Sequence, residues 1–305
     1  MSSAQKESDL VVGIVGVGRL GASAAQRLAS RYRLCLFDIE SARLEDFRNC
    51  ALLADGVDAL FSQSDVILVS LPSALVTQEL LKEVAVGPTR SRILVNLGSA
   101  DTEAPALYLD RLECAAISCV AAPVSGTAAQ AREGTLSMLA SGLESAFEAV
   151  RPLLSILAAE IFYLGNTFAL AHQAKLINNF LSLSNLACAS EAAVLGVKGG
   201  LDPAQMIEVL NHTLGRSSAT ETRLPLHVMP GSFDYGRTLA LALADLDAFH
   251  TLARTAGLAV SPADCAIRSL YREAMERLPE DADVTEVIRP IEQAAGVAVR
   301  GRINH

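Results

Sequence analysis

Along the first half of the chain, short apolar runs alternate with amphipathic stretches. The runs are Leu10–Val15, Leu34–Asp38, Val66–Leu71, Ile93–Leu97, Ala116–Ala121, Leu136–Ala140 and Ile161–Leu164. Short, continuous and rich in Val, Ile and Leu, they predict strands buried on both faces. Between them, stretches such as Leu20–Ser30 and Ser73–Val84 place apolar residues at helical spacing. Alternating strand and helix predicts a parallel sheet covered on both sides, a doubly wound α/β domain.

The texture changes near Gly165. From Phe168 up to Gly196 runs one apolar segment without Gly or Pro, too long for a strand, which predicts a long helix joining two domains. Pro203–Leu210, Thr238–Thr255, Ala263–Arg277 and Val284–Ala295 follow with helical patterning and no strand pattern. The expected organisation is therefore residues 1–166 as the α/β domain and 167–305 as an all-α C-terminal domain. No internal repeat or low-complexity tract interrupts it.

The first strand runs directly into Gly16-Val17-Gly18-Arg19-Leu20-Gly21, which opens the first helix. This is G-x-G-x-x-G in the context its chemistry requires. Gly16 can take the turn dihedrals, Gly18 lets backbone approach a pyrophosphate, and Gly21 lets the helix pack close to the strand. The helix N-terminus attracts the negative charge. Asp38 ends the next strand, 38 − 16 = 22 residues after Gly16. A carboxylate there accepts hydrogen bonds from a ribose 2′-hydroxyl and repels a 2′-phosphate. A Rossmann dinucleotide-binding domain that prefers NAD over NADP is the prediction, although Arg19 or Arg43 could reach a 2′-phosphate if Asp38 turned away.

Composition narrows the partners. In 305 residues, 51% are hydrophobic, and 25 Lys+Arg face 34 Asp+Glu, a net charge of −9. That excludes disorder and disfavours nucleic acid, which needs a basic patch or tail. The longest uncharged runs are interrupted by Gly, Pro, Ser or Asn, so no membrane span is expected. Met1–Leu10 is polar and lacks a hydrophobic signal core. The six cysteines form no CxxC pair, sit mostly in apolar context and read as reduced core residues. A cytoplasmic location is expected. No His/Cys/Asp spacing suggests a metal site.

Only four lysines occur, and Lys175 is the sole charged residue between Glu160 and Glu191. On a helix, Asn179 lies about 40° and His172 about 60° from Lys175, on the same side. The three form a polar stripe on a segment otherwise suited to burial. Polar groups there cost free energy unless paired or used. A desolvated lysine exchanges protons near neutrality, and Asn179 could orient it or donate to a substrate oxygen. The alternative is a lysine whose ammonium group reaches water at a domain boundary. His172 reads as structural or as lining the site. Arg216, Arg223 and Arg237 could serve an anionic substrate but read first as solvated, as does the Glu280–Asp283 cluster.

Further segments carry a resemblance: Leu71-Pro72, Asn96-Leu-Gly-Ser99, Ala122-Pro-Val-Ser-Gly126, Gly134-Thr-Leu136, Lys175-Leu-Ile-Asn-Asn179, the Glu191 segment with Gly200-Leu-Asp-Pro203, and Gly215-Arg-Ser217. With the glycine loop, and in this order over nearly the whole chain, they resemble the β-hydroxyacid dehydrogenase family. That family includes 3-hydroxyisobutyrate dehydrogenase and tartronate semialdehyde reductase.

The resemblance implies an NAD-dependent oxidoreductase acting on a small anionic hydroxy acid. It implies Lys175 as catalytic acid/base, and Ser125, Gly126 and Thr127 as the loop that holds the substrate carboxylate. It also implies Asn179 beside the lysine, Leu71, Pro72 and Ser99 along the cofactor, and a homodimer or homotetramer assembled by the helical domain. This sequence departs from the family pattern in three places. Ala121 and Thr127 stand for the Asp and the last Gly of a common Asp-Ala-Pro-Val-Ser-Gly-Gly, the glycine-rich approach to the lysine reads Gly165-Asn-Thr-Phe-Ala-Leu-Ala-His172, and a common Lys-Asp pair reads Ala244-Asp245. These departures motivate one alternative, a non-catalytic NAD-binding module. Imine reductases and 6-phosphogluconate-type dehydrogenases resemble the architecture too, but the former usually lack the lysine and the latter have a longer helical domain.

Overall fold

The computed structural model describes residues 9–71, 74–82, 89–98 and 105–301. In chain order the first half runs β1 (Val11–Val15), α1 (Arg19–Leu28), β2 (Arg33–Phe37), β3 (Leu52–Leu53), α2 (Val57–Gln63), β4 (Val66–Val69), α3 (Ala74–Lys82), β5 (Ile93–Asn96) and α4 (Pro105–Cys114). It continues with β6 (Ser118–Ala121), β7 (Val124–Ser125), α5 (Ala128–Glu133), β8 (Leu136–Gly142), α6 (Glu144–Leu157), β9 (Ala158–Tyr163) and the long helix α7 (Ala169–Lys198). The chain divides into two compact units, Met1–Lys175 and Leu176–His305. The division falls inside α7, whereas the sequence pattern placed a boundary just ahead of it.

The first unit is built on a sheet of order β3-β2-β1-β4-β5-β6-β8-β7, with β9 beside β8. From β3 to β6 every pairing is parallel. The doubly wound order places β1 at the centre, with β2 and β4 on either side, where a crevice opens at the strands' carboxyl ends. Alternation along β1 shows why both faces are covered. Val12 and Ile14 pack with Ala24, Ala25 and Leu28 of α1 and with Phe147, Val150 and Leu154 of α6. Val11 and Val15 face the other way, into a core with Leu60 and Phe61 of α2 and Tyr108 and Leu112 of α4.

The far edge differs from the all-parallel expectation. β8 pairs antiparallel with β6 and β7, and only β9 runs parallel to β8. β3 and β7 have two residues each, too short for a periodic signal, and the sequence pattern missed both.

The second unit is helical among its described residues, with one isolated bridge, Thr238 to Asp283. Its helices after α7 are α8 (Pro203–Asn211), α9 (Leu239–Thr255), α10 (Pro262–Arg277) and α11 (Arg289–Ala295). Leu183, Leu186 and Ala187 of α7 pack against Leu239, Ala242 and Leu246 of α9 and Tyr271 and Ala274 of α10. The Tyr271 hydroxyl donates to the Leu183 carbonyl at 3.1 Å, and burial pushes its pKa up. Two features depart from the sequence pattern. Ala219–Val228 is a π-helical stretch holding Pro225, and the expected Val284–Ala295 helix opens as a 3-10 turn over Val284–Ile288.

Two other readings are corrected. Cys50, Cys114, Cys188 and Cys265 are exposed, and of the six only Cys35 is fully buried. Asp283 is buried and caps the 3-10 turn by accepting from Thr285 N–H, so the acidic cluster is not wholly solvated.

Candidate active site

The glycine loop shows three different reasons for glycine. Gly16 has φ +86°, and a Cβ there would lie 2.3 Å from the Ser70 carbonyl oxygen. At Gly21 the built Cβ would lie 1.9 Å from the Gly16 carbonyl oxygen, so α1 rests directly on the loop. Gly18 is different: nothing lies closer to its built Cβ than Arg43 Nη1 at 3.9 Å. Room for a side chain exists there in the protein alone. A glycine with open space above it, at the N-cap of a helix with no capping side chain, is what a pyrophosphate needs. Val17, Arg19 and Leu20 complete the loop, with Val17 buried and Arg19 exposed. The residues fit a dinucleotide.

Asp38 stands just beyond β2, and its Oδ2 accepts from Val17 N–H at 2.7 Å while Oδ1 accepts from Glu40 N–H at 2.9 Å. Arg43 Nη1 lies 3.6 Å from Oδ2 and its Nη2 donates to Glu40. The carboxylate is thus fixed against the loop, and Arg43 is held by two acids. Leu71 follows β4 and packs in the core beside α2 and α4. At the end of β5, Asn96 Oδ1 accepts from Gly98 N–H at 2.8 Å and its Nδ2 donates to the buried Tyr108 hydroxyl at 3.0 Å. Pro72 and Ser99 themselves lie outside the described residues.

The Ser125–Thr127 loop links β7 to α5. Gly126 has φ +138°, and its built Cβ would press on Leu136 at 2.7 Å, so only glycine turns the chain here. Thr127 caps α5: its hydroxyl accepts from Gln130 N–H and Gln130 Oε1 accepts from Thr127 N–H at 2.8 Å. That capping box was readable as Thr-x-x-Gln. It takes the Thr127 amide, leaving the Ser125 hydroxyl, the Gly126 amide and the Thr127 hydroxyl proton as donors for an anion.

Lys175, Asn179 and His172 lie within about two turns of α7 and are all buried, Lys175 at 9% exposure. A buried ammonium or amine on a helix face is costly unless it is paired or used. His172 packs against the Phe168 ring at 5.3 Å. Asn179 Nδ2 donates to Asp245 Oδ2 at 2.5 Å, and Arg237 Nη2 donates to that same oxygen. Sequence reasoning read Arg237 first as solvated, yet it is half-buried on Asp245. Arg223 is buried too, donating to Ser182 and lying over the Tyr235 ring at 5.1 Å. Arg216 is exposed and pairs with Glu221 at 3.4 Å.

Comparison with known proteins agrees with this fold. A family model described as the NAD binding domain of 6-phosphogluconate dehydrogenase matches residues 11–165. A second, described as the NAD-binding of NADP-dependent 3-hydroxyisobutyrate dehydrogenase, matches residues 169–291. The chain is 29% identical to 2-(hydroxymethyl)glutarate dehydrogenase of Eubacterium barkeri, over 97% of this chain and 99% of that one. It is also 29% identical to L-threonate dehydrogenase of Cupriavidus necator, over 73% and 76% respectively. In fold it is similar to Mycobacterium tuberculosis 3-hydroxyisobutyrate dehydrogenase solved with L-serine, with TM-score 0.81, 22% identity and coverage of 92% of this chain and 99% of that one.

Proposed function

The chain belongs to the β-hydroxyacid dehydrogenase family, an NAD(P)-dependent oxidoreductase family, and on that premise we propose that it oxidises a small β-hydroxy acid with NAD, using Lys175 as general base. The observation that carries the assignment of chemistry is the buried Lys175, one helical turn from a buried Asn179 whose amide is held by Asp245. Neutral Lys175 takes the hydroxyl proton as the carbinol C–H bond breaks; in reduction it returns that proton to the developing alkoxide. NAD, when bound, supplies the acceptor for the hydride. Ser125 and Gly126 hold the substrate carboxylate, with the Thr127 hydroxyl beside them, and so fix the orientation of the reacting carbon.

NAD is preferred to NADP because Asp38, tied to Val17 and Glu40 amides, keeps a negative charge where a 2′-phosphate would enter. The relatives' names set the substrate range to test: 3-hydroxyisobutyrate, threonate and the dicarboxylic 2-(hydroxymethyl)glutarate. Further proposals concern the surroundings. Exposed Ile177, Leu181 and Leu195 along α7 support assembly into a homodimer or homotetramer. Six free cysteines support a cytoplasmic location. On length and composition α7 could cross a membrane, but buried Lys175, Asn179 and Ser190 along it support a core helix and no membrane partner. The net charge of −9 supports no nucleic-acid partner.

The test is steady-state oxidation with NAD and with NADP across these acids together with 3-hydroxypropionate, D-glycerate and serine. Activity with NAD that drops about 10²-fold or more in Lys175→Ala, with NADH binding retained, is the expected result. Equal turnover in Lys175→Ala would sink the role of Lys175. Silence across the panel with NADH still bound would favour the non-catalytic reading.

A further inference from the structure

Asp245 brings two donors to one buried oxygen. Asn179 Nδ2 donates to Oδ2 at 2.5 Å and Arg237 Nη2 to the same atom, while the Asp245 side chain is only 10% exposed. Arg237 is not a loose surface cation that happens to fall there. Its backbone N–H and that of Gly236 donate to Asp283 Oδ2, its carbonyl accepts from Val284 N–H, and Thr238 next to it caps α9. Asp283, at the bridge between this segment and the 3-10 turn, therefore fixes the Cα from which the guanidinium reaches Asp245. Arg237 Nη2 also donates to the Leu241 carbonyl at 3.2 Å, in the first turn of α9.

The chemistry of the three groups dictates which way Asn179 faces. An ionised carboxylate only accepts hydrogen bonds, and Asp245 Oδ2 accepts from both Asn179 and the Arg237 guanidinium. Asn179 can then meet Asp245 only with its NH2 end, so the amide oxygen points away from the carboxylate. A protonated Asp245 would lose that discrimination, because it could donate to the amide oxygen and leave the two amide orientations nearly equivalent. Ala244 is one residue before Asp245 and supplies no charge. Arg237 is the described cation that hydrogen-bonds this carboxylate.

We propose that Arg237 is a positioning residue: through Asp245 it fixes the side-chain amide of Asn179 with its oxygen presented as the acceptor on the α7 face that carries Lys175. Resting on the dehydrogenase reading, this assigns Asn179 the role of accepting a hydrogen bond from the lysine ammonium or the substrate hydroxyl. It does not donate to a substrate oxygen. Arg237 touches none of the reacting atoms and acts through two intervening side chains. Its removal should misplace a group in the site without opening the fold.

The experiment has a spectroscopic and a kinetic arm on the full chain. In protein labelled at asparagine side-chain amides, Asn179 is assigned by the signal lost in Asn179→Asp. One of its amide protons should be shifted downfield and protected from exchange. Arg237→Met should abolish both features, and Arg237→Lys should restore them in part. On the best substrate of the panel, Arg237→Met should lower kcat about tenfold to a hundredfold with NADH affinity unchanged, again partly recovered by Arg237→Lys. A thermal melt close to wild type shows that the variant folds. An Asn179 signal indifferent to Arg237→Met would overturn the proposal, as would a lost signal with unchanged kcat. A wild type inactive on every acid would defeat the dehydrogenase reading on its own. The Asn179 signal would then still decide whether Arg237 holds that amide.

Discussion

Asp38 Oδ2 accepts the amide proton of Val17 at 2.7 Å, joining the end of β2 to the middle of the glycine loop. The residue proposed to set cofactor choice by its charge thus also holds the loop proposed to receive the pyrophosphate. Asp38→Asn separates the two roles, because an amide oxygen can still accept from Val17 while the charge is gone. We expect the ratio of kcat/KM for NADP to that for NAD to rise about tenfold to a hundredfold, since a like-charge contact costing a few kcal/mol is removed. Arg43, 3.6 Å from the same oxygen, becomes available to a 2′-phosphate. An unchanged ratio would mean that the 2′ position is read elsewhere.

Gly18 and Gly21 sit in one motif yet should fail differently when changed to alanine. At Gly21 the added carbon meets the Gly16 carbonyl oxygen at 1.9 Å, a backbone atom that cannot swing away. Gly21→Ala must push α1 off the loop and should cost on the order of 1–3 kcal/mol of stability, as overpacking does. At Gly18 no atom lies within 3.9 Å of the added carbon. Gly18→Ala should melt like wild type and lose NADH affinity, because the methyl occupies the space the phosphates need. Paired calorimetry and fluorescence titration would check it. A Gly18→Ala protein with full affinity would contradict the placement of the pyrophosphate.

Asp65 gives a pH dependence with a defined sign. Burial alone would raise its pKa, but two Arg90 hydrogen bonds at 2.7 Å and the Val11 amide at 2.8 Å outweigh that and hold it below the usual carboxylate range. A carboxylate lowered by folding stabilises the native state above its unfolded pKa, about 3.9, and loses that contribution as pH falls through the lower folded value. Asp65 thus helps anchor the start of β1 at neutral pH but not in strong acid. Asp65→Asn should be less stable than wild type at pH 7, and the gap should close on acidification through that range. Urea titrations across that span test it, and a gap independent of pH would refute the linkage.

What the sequence made legible follows from how far each feature reaches along the chain. β1, the glycine loop and α1 were readable because Val-Val-Gly-Ile-Val and G-x-G-x-x-G sit side by side and each residue's role is set by neighbours within a few positions. The long α7 and its Lys175 stripe were readable for the same reason. β3 and β7, at two residues, carry no period, and Ala219–Val228 hides its π-helical winding behind Pro225. The antiparallel β8 follows from long-range pairing that no local pattern records. Arg237 was misread because Asp245, 8 residues further along the chain, meets it only once α9 has formed, and that carboxylate's other partner, Asn179, lies 66 residues away from it. Two caps were within reach, Thr127-x-x-Gln130 and Asp283-x-x-Glu286, since both follow the reciprocal capping pattern.

The Thr127 cap allows the carboxylate loop to be dissected. Its amide is already bonded to Gln130, and its hydroxyl accepts from the Gln130 amide, so most of what Thr127 does is to start α5. Ser125 holds no such duty: its hydroxyl hydrogen-bonds to no described group, and its backbone lies in register with Ser137 across β7 and β8. If the loop binds the substrate carboxylate as proposed, Ser125→Ala should raise KM for the hydroxy acid, by about tenfold for one lost charge-assisted hydrogen bond, and leave the melting temperature alone. Thr127→Ala should do the reverse in emphasis. It should cost about 1 kcal/mol of stability through the lost cap, with a smaller rise in KM. Thr127→Ser, which keeps the capping oxygen, should restore most of both. Comparing the three variants by thermal melt and by substrate KM separates anion binding from helix initiation. A KM effect larger in Thr127→Ala than in Ser125→Ala would place the main anion donor at the hydroxyl of Thr127 and displace Ser125 from that role.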